Sequence, residues 1–163
     1  LSHAQVLEIR KLKARMEAER LPRGGDPGRH VKLGPGGLSD VEWVVQLLQL
    51  HHAGGDRRLR TTGTLEALDA TVLAGLLDPM DAEALRAAWL LASRVRNAIM
   101  LLRGRAGDSL PTDVRELSAV AQMLGYAKGE SSQFVEDYRR GTRLARQVMD
   151  QVFWESRPGP SDE

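Results

Sequence analysis

The residues whose types and spacing best suit chemistry lie in one run, Lys32-Leu33-Gly34-Pro35-Gly36-Gly37-Leu38-Ser39-Asp40-Val41-Glu42. Three glycines and a proline cannot sit in a helix interior without large cost, so Gly34 to Gly37 must form a turn. Ser39 and Glu42 have the spacing of a capping box and precede an apolar run at helical period, which predicts a helix beginning at Ser39. A glycine turn ahead of a helix N-terminus is a frequent anion site, because backbone N–H groups and the positive end of the dipole converge there. Lys32 suits a phosphate. Asp40 and Glu42 would repel one directly and suit a divalent cation or a basic group lying between, or simply the positive end of the helix. The residues alone leave two readings open: a turn near a nucleotide, and a capped helix start with no ligand.

Other chemistry is sparse. Arg94, Arg96 and Asn97 fall in a long segment of helical period and are expected on its exposed side, as a contact surface or as ordinary solvated charge. Adjacent His51 and His52 do not share a helix face and have no acidic residue at helical ligand spacing, so no metal site is expected. No catalytic residue is expected either, since the chain has no Walker loop, no Gly-x-Ser-x-Gly and no His-Glu-x-x-His. The absence of cysteine excludes a disulfide framework and a thiolate metal site, and it fits the cytoplasm. A net charge of +1 and 4% aromatic residues give neither a global signal for nucleic acid nor a stacking surface for single strands. No apolar run approaches membrane-spanning length and no signal peptide opens the chain. The first residue is Leu1, not methionine, so a piece of a longer protein is expected.

The elements that must position these residues are helices. With 163 residues, 42% of them apolar, the chain is long enough for one domain with a real core. Helical periodicity and breakers predict helices over 2–20, 39–53, 65–74, 82–103, 113–124 and 132–154. Thr64 is the expected cap of the third, and Gly125 the expected stop of the fifth. In the first, Val6, Ile9, Leu12 and Met16 form the expected inward stripe; in the last, Gly141 is expected to mark a close helix crossing. The first helix and its loop also carry Arg10, Lys11, Lys13, Arg15, Arg20, Arg23 and Arg29, either a solvated face or a basic edge toward phosphates or an acidic partner. The fold class expected is all-α, a bundle of about six helices over 1–155, with at most a small extended pair near Val31 and a disordered tail over 156–163.

The run from Lys32 to Glu42 closely resembles the motif of the bifunctional glutamine synthetase adenylyltransferase/adenylyl-removing enzymes. A similar Gly-Gly-Leu-x-Asp string occurs in the related uridylyltransferases of the PII signalling protein. The resemblance continues through Trp43 to Ala53, Leu59 to Thr62, Ala92 to Asn97, Val120 to Tyr126 and Phe134 to Arg140, so it covers nearly the whole chain in order. In that family the motif opens a helical domain that follows a nucleotidyltransferase core. The family's enzymes add AMP from ATP to a tyrosine of glutamine synthetase and remove it by phosphorolysis, under PII control. Their superfamily holds magnesium on the triphosphate with an Asp-x-Asp pair after a Gly-Ser turn, and this chain contains no Asp-x-Asp.

The resemblance therefore implies an accessory helical domain without the catalytic core. It should be inactive alone and hold no cofactor of its own, with ATP and Mg2+ belonging to the parent enzyme. The implied partners are that enzyme's own nucleotidyltransferase core, glutamine synthetase and PII, with no membrane and no nucleic acid. Lys32, Gly36, Gly37, Asp40 and Glu42 are then expected near the Mg-nucleotide site of the core, and Arg94, Arg96 and Asn97 toward a partner. The run after Trp154 resembles a protein terminus, which favours the C-terminal, adenylylating half. The rivals are the helical domain of a PII uridylyltransferase and a free-standing helical adaptor or nucleic-acid binder built on the basic first helix.

Overall fold

A 25-residue helix organises the molecule, and its ends are written in the sequence. Asp78 accepts a hydrogen bond from the Met80 N–H at 2.8 Å, Pro79 takes the first helical position, and left-handed Gly104 closes the far end. The computed structural model describes residues 1–21 and 24–155; Pro22 and Arg23 of the expected loop, and the expected tail over 156–163, lie outside the described residues. The helices are α1 (His3–Arg20), α2 (Leu38–His52), α3 (Thr64–Leu73), α4 (Pro79–Arg103), α5 (Val114–Met123) and α6 (Ser131–Met149), the last running on as a π-helix over Asp150–Glu155. Among the described residues there is no strand, only an antiparallel bridge between His30 and Ser109. There the Val31 N–H donates to the Asp108 carbonyl at 2.7 Å and the Leu110 N–H to the Arg29 carbonyl at 2.8 Å. The fold is all-α, as expected, and the extended pair near Val31 is this bridge.

Apolar side chains gather in two clusters strung along α4 and α6. The first joins Val41 and Val44 of α2, Leu68 of α3, Leu85 of α4, and Met149 and Phe153. The second joins Val31 with Val95 and Ile99 of α4, Val120 of α5, and Phe134 and Tyr138 of α6. Trp89 packs against both. Each of these side chains is worth roughly 1.5–3 kcal/mol when fully buried.

Four local expectations are corrected. Helix α2 begins at Leu38 with Gly37 as its cap, so Ser39 is already inside the helix and the Ser39–Glu42 capping box does not form. Likewise Thr64 is the first residue of α3 and Gly63 its cap. Gly141 marks no close crossing, since a Cβ built there meets nothing within 4 Å. The inward stripe of α1 is also different: Leu12 is 49% exposed whereas Lys13 is 2% exposed. Adjacent residues lie about 100° apart around a helix, so a face that buries Val6 and Lys13, seven residues apart, must turn Leu12 away.

Candidate functional site

The glycine turn is shaped by what it touches. Gly36 has a φ of +70°, and a Cβ there would lie 1.9 Å from the Thr142 carbonyl oxygen of α6. A Cβ on Gly37 would lie 2.7 Å from the Val31 carbonyl oxygen. Both glycines are therefore required by close backbone approach, Gly36 also by its left-handed conformation. The amides of the turn are all used within the chain. Gly37, Leu38 and Ser39 donate to the carbonyls of Gly34, Val31 and Lys32, while Asp40 and Val41 both donate to the Gly37 carbonyl. The Gly36 N–H donates to Asp40 Oδ2 at 2.8 Å.

Asp40 is the centre of a buried ionic cluster. Its carboxylate is fully buried at the third position of α2. Lys13 Nζ of α1 donates to Oδ1 at 2.6 Å, and Arg146 Nη1 of α6 donates to Oδ2 at 3.1 Å. Glu17 closes the ring, 3.0 Å from Lys13 and 3.2 Å from Arg146, and Asp150 lies 2.9 Å from Arg146 Nε. Burial works against the charge of Arg146, but the carboxylates of Asp40, Glu17 and Asp150 outweigh it and raise its pKa. Three helices and the glycine turn are thus joined through one aspartate.

This arrangement holds elements together and satisfies the Asp40 carboxylate within the chain. Both Asp40 oxygens have cationic or N–H partners, and the N–H groups of Gly36 and Gly37 have acceptors within the chain. Of the other residues expected near a nucleotide, Lys32 is exposed and Glu42 half-buried. Among the described residues no three His, Asp or Glu side chains converge as a metal would need.

The likeness to known proteins runs over nearly the whole chain. The family model described as GlnD PII-uridylyltransferase matches residues 10–153. A bifunctional glutamine synthetase adenylyltransferase/adenylyl-removing enzyme of Streptomyces avermitilis is 62% identical over 149 residues, which is 91% of this chain and 15% of that protein. The protein of the same description from Cutibacterium acnes is 54% identical over 154 residues, 94% of this chain and 16% of the relative. That from Mycobacterium leprae is 50% identical over 153 residues, 94% of this chain and 15% of the relative. The chain belongs to the glutamine synthetase adenylyltransferase and PII-uridylyltransferase family. It spans about 15% of the length of these adenylyltransferase relatives.

The remaining residues singled out in this family domain do not act together. Arg94 and Asn97 lie on the exposed side of α4, where Arg94 Nη2 donates to the Leu124 carbonyl at 3.3 Å, at the end of α5. Arg96 does not share that face. It lies about 200° around the helix from Arg94, and its Nε donates to Asp108 Oδ1 at 2.6 Å, holding the connector that carries the bridge. Beside that pair, His30 Nδ1 accepts from the Leu33 N–H at 3.0 Å. Partial burial pushes the His30 pKa down, against the opposing pull of Asp108. No helix among the described residues is long and apolar enough to cross a membrane.

Lys13, Glu17 and Arg146 were the residues that sequence reasoning missed as a group. Lys13 falls seven residues after Val6 and four before Glu17, so it shares the face of one and can pair with the other. That signal was present, but it reads identically in a solvated helix.

Proposed function

We propose that this chain is the C-terminal helical domain of a glutamine synthetase adenylyltransferase. The observation that carries this reading is the 62% identity across 91% of the chain to a protein of that description. In this reading the domain does no bond chemistry. The parent enzyme's nucleotidyltransferase core binds ATP and Mg2+, places AMP on glutamine synthetase in the cytoplasm, and removes it by phosphorolysis, with PII setting the balance in nitrogen regulation. The helical domain gives that core a rigid neighbour. Lys32 and Glu42, the outward members of the glycine-turn stretch, face the core, while Gly36, Gly37 and Asp40 hold that stretch in place. Arg94 and Asn97 offer a second contact to a partner.

The uridylyltransferase reading has one observation in its favour, the description of the family model itself. The test that separates the two supplies the full-length protein with Mg2+ and labelled ATP or UTP, with purified glutamine synthetase and PII as acceptors. AMP on glutamine synthetase is the expected product. UMP on PII would make the uridylyltransferase reading correct. The 163-residue chain alone should give no AMP incorporation above a blank without protein; incorporation would overturn its role as an accessory domain.

A further inference from the structure

The end of the molecule built by α3 and the start of α4 differs from the rest in charge and in exposure. From Thr61 to Leu85 there is no lysine or arginine, and the stretch carries Glu66, Asp69, Asp78, Asp81 and Glu83, in a chain whose net charge is +1. Between the two helices runs an open groove of about 450 Å³, lined by Asp69, Val72, Leu73, Pro79, Ala82 and Glu83. Aliphatic side chains at this end are left in water: Leu73, which lines the groove, is 70% exposed, and Met80, in the first turn of α4 but outside the lining, is 82% exposed. Among the described residues, Arg86 is the one cation lining the groove. It pairs with Asp69 and lies 3.6 Å from Glu83, so it offsets only part of the acidic excess.

We propose that this groove seats a basic segment with an aliphatic anchor, supplied by the rest of the same polypeptide. An apolar floor with acidic sides is the complement of such a segment: the anchor is desolvated against Val72 and Leu73 while lysines or arginines meet the rim. The tether argues for an occupant in the same chain. Most of each relative's length lies outside the matched region, and a segment linked to its site has a local concentration in the millimolar range for short flexible linkers. The proposal rests on the reading that this chain is one domain of a longer adenylyltransferase.

The test uses the full-length protein carrying Leu73→Cys. Alkylation of that cysteine by iodoacetamide is followed on its own peptide by mass spectrometry, under native conditions and in denaturant. A covered groove makes the native reaction at least about tenfold slower, equivalent to about 1.4 kcal/mol in favour of the closed state. Adding Asp69→Asn and Glu83→Gln, which keep the shape and remove the charge, should restore a rate close to the denatured one. Equal native and denatured rates overturn the proposal. So does protection that survives neutralisation of the two carboxylates, which would mean an occupant that is not basic. Protection that disappears on dilution would place a second copy in the groove and overturn it too. AMP transfer measured on the same samples keeps the two readings apart. Protection without transfer sinks the functional reading alone, and transfer without protection sinks the groove alone.

Discussion

At the scale of single residues, Asp40 is the most consequential position. Asp40→Asn keeps the volume and removes the charge that Lys13 and Arg146 share. Lys13 would stay buried with only half-buried Glu17 opposite it. Breaking a buried pair in this way costs about 3–5 kcal/mol, because the remaining charge is left uncompensated. Urea unfolding should show that loss, and Glu17→Gln, nearer the surface, should cost about 1 kcal/mol or less. Gly36→Ala should also be destabilising, by more than the roughly 1–2 kcal/mol of a left-handed alanine, since its Cβ would overlap the Thr142 carbonyl.

His30 makes a pH prediction at the same scale. Burial holds its folded-state pKa below the ordinary 6.5, with Asp108 opposing and Lys32 and Arg96 reinforcing. The unfolded chain therefore binds the proton more readily. The contribution of neutral His30 is fully present above the ordinary value and is lost as pH falls below it toward the depressed one. The hydrogen bond agrees, because Nδ1 must be unprotonated to accept from Leu33. His30→Asn can keep an acceptor and cannot titrate, so it should flatten the loss of stability as pH falls below about 6.5.

At the scale of helices, α6 and α1 behave in opposite ways. In α6, Gly141 has open space where a Cβ would go, so Gly141→Ala should stabilise the protein by about 0.5–1 kcal/mol in thermal or urea unfolding. In α1 the only buried residues are Val6 and Lys13. Its attachment is largely polar, through the ionic cluster and through Arg10 Nε, which donates to the Phe153 carbonyl at 2.6 Å. Deleting residues 1–21 should therefore hurt mainly by uncovering Asp40 and Arg146. Asp40→Asn should then cost far less in the shortened chain than in the whole one, a coupling that a double-mutant cycle measures directly.

These elements also show where sequence reasoning succeeds and where it stops. Gly104 and Gly125 stop α4 and α5, and Asp113 starts α5, because caps and stops are local and local chemistry is written in adjacent residues; α4 begins at Pro79, three residues before the expected 82, because Asp78 caps it and Pro79 takes the first helical position. The start of α2 escaped because Ser39 is a good cap in isolation. The turn instead satisfies its amides with the carbonyls of Val31, Lys32 and Gly34, a closure that only the folded loop reveals. Asp40 was legible as a first-turn carboxylate of special standing, but not its partners, which come from 27 and 106 residues away. A charge whose meaning depends on two distant helices leaves no periodic trace.

At the scale of the whole molecule, two apolar clusters share α4 and α6, and Trp89 bridges them. Trp89→Ala should cost about 3 kcal/mol or more and loosen the coupling between the clusters, seen as a shallower urea dependence. Trp89→Phe should be much milder, because among the described residues the buried indole N–H has no partner to lose.

Under tension the molecule would not yield evenly. Helix α1 and the π-helical run that follows α6 are bonded to each other by Arg10 and the Phe153 carbonyl. A pull applied at His3 and Glu155 loads that seam before it reaches either cluster. Buried Val6, half-buried Ile9 and a set of ion pairs resist it there, contacts that are strong at short range and fail abruptly once stretched. Force spectroscopy should record a first small rupture as α1 peels away, then a larger one from the bundle, and added salt should lower mainly the first.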